Sequence, residues 1–178
     1  LDAGLQPVKI NVVMMRGIND DEIVDFAEYG RAKGVTVRFI EFMPLEAGDV
    51  WTDDLVVPAD EIVETISKAF PIEPVVRGNE PAERWRYSDG KGEVGVIASV
   101  TKPFCGNCDR VRLTAEGQFR TCLFAVDEFD MRSLLRDEAS DEAIAEAISA
   151  AVGTKWAGHS IGQVNFIRPK RTMSQIGG

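Results

Sequence analysis

Two apolar runs flank a helical segment near the start of the chain. The runs PVKINVVMM, residues 7–15, and VTVRFIEFMP, residues 35–44, are rich in the residue types that favour strands. Between them, apolar residues recur every three to four positions from 23 to 30, which predicts an amphipathic helix. Asn19 is its predicted N-cap, with Glu22 as capping-box partner, and Gly34 is placed to end it. Strand, helix and strand joined by short links predict a parallel sheet.

A second helix is predicted to begin near Pro58, and the pattern changes after Pro71. Short β-rich runs follow, separated by Gly, Asn and Pro, and they predict antiparallel strands: IEPVV, ERWRYSD and GEVGVIASV. A hairpin is then predicted around a turn at Glu116–Gly117. Two helices follow, DEFDMRSLLRD and SDEAIAEAISAAVGTK, the second with Ser140 as its cap. The predicted fold class is therefore α/β, followed by a small antiparallel region and helices.

Composition and charge narrow the class of protein. The chain has 178 residues, of which 44% are hydrophobic, and this suits one moderate domain or two small ones. The net charge of −9 argues against a protein that coats nucleic acid. No apolar run approaches the roughly 20 residues that span a bilayer, so no membrane partner is expected. The start LDAGLQPVKI has neither a signal peptide nor an initiator Met, and we expect the chain to be a piece of a longer protein.

All three cysteines lie in the stretch FCGNCDRVRLTAEGQFRTC, with the spacing C-x2-C-x13-C. Cys105 and Cys108 share one turn, and Cys122 arrives from the far strand of the predicted hairpin. Thiolates are ligands for zinc and for iron–sulfur clusters. A closed zinc site needs four protein ligands, and a cluster usually takes four cysteines. Three cysteines would leave one iron of a cluster with an open position, where a substrate could bind.

The residues alone leave other interpretations open. The three thiols could be inert core residues, although the turn-like surroundings of Gly106 and Asn107 argue against burial. They could hold zinc together with His159 or an acid, giving a non-catalytic interaction module. A thiol redox function for the CxxC is disfavoured, because such motifs open a helix and the residues after Cys108 have β character. An unpaired trio of thiols without a signal peptide favours the reducing cytoplasm.

Several cations accompany the cysteines. Arg110 and Arg112 alternate along a predicted strand, so both are expected on one face, where they could bind an anion or pair with nearby acids. Lys9 lies within an apolar strand, and it could point into an interior toward phosphate or protect a sheet edge. The basic residues near the C-terminus are interpreted as a solvated end. They are Arg168, Lys170 and Arg171.

Four segments together resemble the GTP 3′,8-cyclase family of radical S-adenosylmethionine enzymes, which begins molybdenum cofactor biosynthesis. The segments are PVKINVVMMRGINDDEI, RFIEFMP, FCGNCDRVRLTAEGQFRTCLF and the terminal SQIGG. The resemblance runs from Gly4 to Gly178 and is weakest between Gly48 and Lys91. It implies that residues 1–70 are the C-terminal βα units of an incomplete TIM-like radical S-adenosylmethionine barrel. Residues 71–178 would then be the cluster- and GTP-binding region.

The resemblance also implies a chemistry. A first 4Fe–4S cluster in such enzymes cleaves S-adenosylmethionine to a radical that takes hydrogen from C3′ of GTP. C3′ then joins C8, giving (8S)-3′,8-cyclo-7,8-dihydroguanosine 5′-triphosphate. A second 4Fe–4S cluster is held by three cysteines and binds the guanine at its open iron. The residues implied are Cys105, Cys108 and Cys122 for that cluster, Lys9, Arg110, Val111 and Arg112 for GTP, Met43 for S-adenosylmethionine, and Gly177 and Gly178 for a tail that enters the active site.

The chain departs from the family in one respect, because it contains no CxxxCxxC motif for the first cluster. We therefore expect it to correspond to a C-terminal portion that is inactive alone. Its expected partners are GTP, the missing N-terminal half, a second copy that covers exposed sheet edges, and the downstream cyclic pyranopterin monophosphate synthase. Nucleic acid and membrane are not expected partners.

Overall fold

The computed structural model describes residues 1–45, 51–155, 161, 166–167, 169 and 171–176. Its two compact units are Leu1–Met43 with Trp51–Phe104, and Pro44–Val50 with Cys105–Gly178. The chain therefore passes from the first unit to the second after Phe104. The α/β class is confirmed in its coarse form, as a mixed parallel and antiparallel sheet plus a small antiparallel one. In the described ranges, no helix is both long and apolar enough to cross a bilayer.

The first unit is built on a five-stranded sheet in the order β1-β2-β5-β4-β3. Its elements are β1 (Lys9–Met14), α1 (Ile23–Lys33), β2 (Thr36–Glu41), α2 (Ala59–Ala69), β3 (Ile72–Pro74), β4 (Glu83–Tyr87) and β5 (Glu93–Ile97). Strand β2 pairs in parallel with both β1 and β5, while β3, β4 and β5 pair antiparallel. The predicted parallel unit and antiparallel runs are confirmed. The antiparallel strands belong to the same sheet as the parallel ones, because β5 pairs with β2.

Alternation along the strands gives this sheet one apolar face, and α1 and α2 pack on it. Fully buried Met14 and Phe39 of the strands meet Ile62 and Ile66 of α2 there. Helix α1 ends at Gly34, as predicted, with a left-handed φ of 67°. The predicted capping box at Asn19 is wrong. A 3-10 turn, Asp20–Glu22, precedes the helix, and the Asn19 amide bonds the Met15 N–H and the Val13 carbonyl instead.

The second unit contains a three-stranded antiparallel sheet in the order β6-β7-β8 and two helices. The elements are β6 (Arg112–Leu113), β7 (Gln118–Arg120), β8 (Phe129–Asp130), α3 (Met131–Arg136) and α4 (Asp141–Gly153). The predicted hairpin is confirmed, and its turn uses Gly117 at a φ of 82°. Phe119, Met131 and Ala151 form the small core that joins the sheet to α3 and α4.

Candidate functional site

The three cysteines lie at the open end of the hairpin in the second unit, two of them before β6 and one after β7. Cys105 opens a 3-10 turn, Cys105–Asn107, and the Cys108 N–H closes it on the Cys105 carbonyl at 3.2 Å. Cys122 follows β7, and its sulfur accepts the Phe124 N–H at 3.4 Å. All three are free thiols and half-buried. They are therefore accessible to a ligand and partly shielded from water.

The donor set suits an iron–sulfur cluster in its chemistry, because it consists of three thiols with N–H donors and cations beside the sulfurs. Within the described part of the chain, no group of three or more His, Cys, Asp or Glu side chains is arranged to hold a metal ion. A single zinc ion needs its ligands around one centre, whereas the thiolates of a 4Fe–4S cluster bind different irons and lie farther apart. His159, which with an acid was the alternative fourth ligand in the zinc interpretation, lies outside the described residues.

The surroundings of Cys108 favour its thiolate. Burial by itself would raise the pKa of Cys108. Hydrogen bonds from the backbone and guanidinium of Arg110, together with the charge of Lys155, outweigh burial and lower that pKa below its usual range. The Arg110 Nε and Nη2 atoms each lie 3.4 Å from the Cys108 sulfur.

The two arginines after the CxxC do not share a strand, so that prediction is wrong. Strand β6 begins only at Arg112. The Arg110 carbonyl accepts a hydrogen bond from Lys155 instead of from a strand, and the Arg110 guanidinium points to Cys108. Arg110 is exposed, and so is Val111. Arg112 is half-buried, and its pKa is lowered by burial first and then by the charge of Arg110. It remains a cation, since an arginine pKa lies far above neutrality.

Lys155 is a site residue that sequence reasoning missed. Its Nζ donates to the Arg110 carbonyl at 2.5 Å and to the Thr121 carbonyl at 2.6 Å, and it lies 3.9 Å from the Cys108 sulfur. The only sequence signal is a cation at the end of a predicted helix, which is common. The contact itself joins residues 34 or more positions apart.

The C-terminal segment is anchored to the hairpin of the same unit. Arg171 pairs with Glu128, with Nε–Oε1 at 2.6 Å, and with Glu116 at 3.3 Å. Arg112 donates to the Ile176 carbonyl at 3.3 Å, and Ile176 is fully buried. The predicted solvated end is therefore wrong for Arg171. Arg168, Lys170, Gly177 and Gly178 lie outside the described residues.

Lys9 and Met43 belong to the first unit, whereas the cysteines belong to the second. Lys9 is exposed on β1, at one edge of the sheet as described, and Met43 is half-buried two residues after β2. Strand register places Lys9 opposite Thr36, so alternation puts Lys9 and Arg38 on the face away from the helices. Arg38 is a second cation on that face, and sequence reasoning did not select it.

Glu41 is the other feature that the sequence did not reveal. It ends β2 and is fully buried. Its carboxylate accepts the Ala59 N–H at 2.8 Å, the Val100 N–H at 2.7 Å, and both the Thr101 N–H and hydroxyl at 2.8 and 2.5 Å. This one side chain therefore fixes the start of α2 and the segment after β5 against the carboxyl end of the parallel strands.

The chain resembles known proteins over nearly its whole length. The family model described as Molybdenum Cofactor Synthesis C matches residues 35–161. A protein of Streptomyces coelicolor named GTP 3′,8-cyclase is 47% identical over 180 residues, which cover 99% of this chain and 53% of that protein. GTP 3′,8-cyclase of Corynebacterium glutamicum strain R is 45% identical, with coverages of 99% and 48%.

A third relative has similar identity and coverage. GTP 3′,8-cyclase 2 of Mycobacterium tuberculosis strain H37Rv is 44% identical over 99% of this chain and 51% of its own length. The chain thus spans about half the length of the curated relatives it matches. The resemblance drawn from four motifs is confirmed, and the coverage is consistent with a C-terminal portion.

Proposed function

The chain belongs to the Molybdenum Cofactor Synthesis C family, and we propose that it forms the substrate-binding portion of a GTP 3′,8-cyclase. The complete enzyme would convert GTP to (8S)-3′,8-cyclo-7,8-dihydroguanosine 5′-triphosphate by radical S-adenosylmethionine chemistry. Residues 1–70 would contribute βα units to an incomplete TIM-like barrel, and residues 71–178 would contain the cluster- and GTP-binding region. The half-length matches to proteins named GTP 3′,8-cyclase support this assignment.

One observation carries the proposal: three half-buried thiols stand at one end of a hairpin beside the cations Arg110 and Lys155. Cys105, Cys108 and Cys122 would hold a 4Fe–4S cluster, which supplies an iron with an open coordination position when bound. The cations offset the negative charge of the thiolates. The protein would thereby hold the sulfurs ready for the cluster.

The residues after the CxxC would bind GTP. Arg110 and Arg112 offer planar guanidinium groups that can bind phosphate in a bidentate manner, and exposed Val111 lies between them. In the first unit, exposed Lys9 would bind GTP, and Arg38 adds a cation to the same face. Met43 would line the S-adenosylmethionine site, since it follows the carboxyl end of a parallel strand, where ligands of such sheets bind.

The chain alone would not generate the radical. Its three cysteines cannot make a CxxxCxxC motif, so the 4Fe–4S cluster that cleaves S-adenosylmethionine would belong to the missing N-terminal half. We propose that half as a partner, with a homodimer and the downstream cyclic pyranopterin monophosphate synthase as further associations. The Gly177–Gly178 tail would enter the active site. Reduced thiols and this chemistry suit the cytoplasm.

Anaerobic reconstitution tests the cluster and the substrate together. The chain is loaded with iron and sulfide, metal is counted, and the electron paramagnetic resonance spectrum is followed as GTP is added. We expect about four irons per chain and a spectral change with GTP that ATP does not reproduce. Cys122→Ser should lose the iron, Arg112→Lys should keep the iron but weaken the response to GTP, and the exposed control Arg136→Gln should behave as the parent.

The alternatives give different results. One tightly bound zinc and no iron would overturn the proposal in favour of a zinc-stabilised interaction module. A loaded cluster whose spectrum ignores GTP would overturn the substrate assignment. With S-adenosylmethionine, GTP and a strong reductant, the chain alone should form no 5′-deoxyadenosine above background, and clear formation would contradict its dependence on the missing half.

A further inference from the structure

We propose that Lys155 is a positioning residue of the three-cysteine site, joining the segment that carries Cys108 to the segment that carries Cys122. Arg110, whose carbonyl accepts from Nζ at 2.5 Å, stands two residues after Cys108. Thr121, whose carbonyl accepts from the same atom at 2.6 Å, stands directly before Cys122. One ammonium therefore holds together the backbones that deliver two of the three thiols. The inference rests on the proposed function for the identity of the metal group.

The position of these carbonyls explains why a side chain is needed there. The β6–β7 ladder ends at the pair Arg112–Arg120, so Arg110 and Thr121 lie just beyond its last rung. Past that pair the strand ladder no longer joins the two segments. Thr121 is buried, with 6% of its surface exposed. A buried carbonyl without a donor is costly, and Lys155 supplies the donor for both segments where the ladder stops.

Helix α4 places the lysine accurately. Its start is fixed by Ser140, whose hydroxyl oxygen accepts the Ala143 N–H at 3.3 Å. Its end is fixed by fully buried Ala151 in the core with Phe119 of β7. The Lys155 N–H bonds the Val152 carbonyl at 2.9 Å, so the side chain leaves from an ordered turn. A cation just beyond a helix C-terminus is also favoured by the helix dipole.

The ammonium acts on the site in two ways. It fixes the separation of the segments that bear Cys108 and Cys122, which a ligand spanning both thiols requires. It also lies 3.9 Å from the Cys108 sulfur and contributes positive charge next to an anionic group. Residues that orient ligands in this way are worth about 10–100-fold in metal affinity.

Thiol reactivity in the metal-free chain tests the positioning directly. Alkylation of each cysteine is timed by mass spectrometry in the parent, Lys155→Met, Lys155→Arg and the control Lys68→Met. Lys68 is an exposed lysine near the end of α2, paired with Glu64 at 2.7 Å. We expect Lys155→Met to accelerate alkylation of Cys122 about tenfold or more, because it keeps the apolar stem but loses both bonds to carbonyls. Cys108 should accelerate less, because the same substitution removes a charge that favours its thiolate. Lys155→Arg should restore most of the protection, and Lys68→Met should match the parent.

Iron retention gives the second readout. After anaerobic loading, we expect Lys155→Met to lose iron to a chelator about 10–100-fold faster than the parent. Unchanged alkylation of both cysteines in Lys155→Met would overturn the inference, as would failure of Lys155→Arg to restore protection. If Lys155→Met does not fold by circular dichroism, Lys155→Gln replaces it and should give an intermediate acceleration. If the parent itself binds no iron, the proposed function fails, while alkylation still decides the role of Lys155.

Discussion

The Arg112 guanidinium donates a hydrogen bond at 3.3 Å to the carbonyl oxygen of Ile176, 64 positions away in the chain. Ile176 is fully buried and follows a 3-10 turn, Met173–Gln175, that is stabilised by a capping box between Thr172 and Gln175. An arginine proposed to bind GTP thus also holds the C-terminal segment. Its two tasks link substrate binding to the position of that segment.

Removing this arginine should loosen the segment. In Arg112→Met, we expect amide exchange at Gln175 and Ile176 to rise about tenfold, because a hydrogen bond from a charged donor is lost. Their N–H groups bond the Thr172 and Met173 carbonyls at 3.0 and 3.2 Å in the intact turn. Hydrogen exchange followed by NMR or mass spectrometry measures the change. Arg136→Met is the control, and equal exchange in both variants would contradict the coupling.

Arg110 should control the reactivity of Cys108 in the metal-free chain. Its hydrogen bonds lower the pKa of this thiol despite burial, so they raise the thiolate fraction near neutral pH. Arg110→Gln should raise that pKa and slow iodoacetamide alkylation of Cys108 severalfold at pH values below it. The rate is measured across a pH series, with Arg136→Gln as control. A profile that does not move to higher pH would refute the role of Arg110.

Glu128 should be the main stabilising carboxylate of the second unit. It pairs with both Arg120 and Arg171, and the Arg120 side chain is only 2% exposed. Glu128→Gln removes the one counter-ion that Arg120 has among the described residues and should lower the free energy of unfolding by about 3 kcal/mol. Chemical denaturation measures this. Glu116→Gln, at a half-exposed pair with Arg171, should cost under about 1 kcal/mol, and equal effects would contradict the assignment.

The same carboxylate gives a pH dependence. The hydrogen bond from Arg171 is the largest influence that holds the pKa of Glu128 below its ordinary value of 4.5. Its contribution to stability is therefore complete above that value and is lost as the pH falls through the depressed pKa. Acid denaturation should accordingly be less steep in Glu128→Gln than in the parent. Parallel curves for the two proteins would count against this linkage.

Gly117 should tolerate no side chain. It has a φ of 82°, and an added Cβ would lie 2.7 Å from the Arg132 Cβ. Its carbonyl also accepts the N–H groups of Met131 and Arg132, so the turn cannot shift without releasing the start of α3. Gly117→Ala should cost about 2 kcal/mol. Gly153→Ala, in open space at the end of α4, should be neutral or stabilising in the same thermal unfolding assay, and a neutral Gly117→Ala would be inconsistent with the structure.

Local patterns predicted the elements well because their causes are local. The period of Ile23, Ala27 and Gly30 gave the buried face of α1, and Gly117 marked the hairpin turn. Pairing of β2 with β5 was not predictable, because the two strands are separated by α2 and two other strands. The predicted shared strand of Arg110 and Arg112 failed for a similar reason, since Lys155 takes the Arg110 carbonyl from 45 positions away.

In the candidate site, too, features with local causes were predicted and features that depend on distant contacts were not. Spacing alone identified the three cysteines and the cations beside them. Lys155, Arg38 and Glu41 escaped notice, because a lysine after a helix or a charged residue in a strand has many ordinary explanations. Their positions depend on contacts or strand register that bring distant segments together. Only the folded chain makes these three residues stand out.

Glu41 also sets an order of events during synthesis. Two of its hydrogen-bond donors are the N–H groups of Val100 and Thr101, 59 and 60 positions later in the chain. A nascent chain that has left the ribosome only as far as Ser99 would bury this carboxylate without those donors, which is unfavourable. Glu41 can therefore be buried with all of its donors only once Thr101 emerges, four residues before the first cysteine. Every hydrogen-bond donor of Glu41 is therefore synthesised before the first of the three thiols.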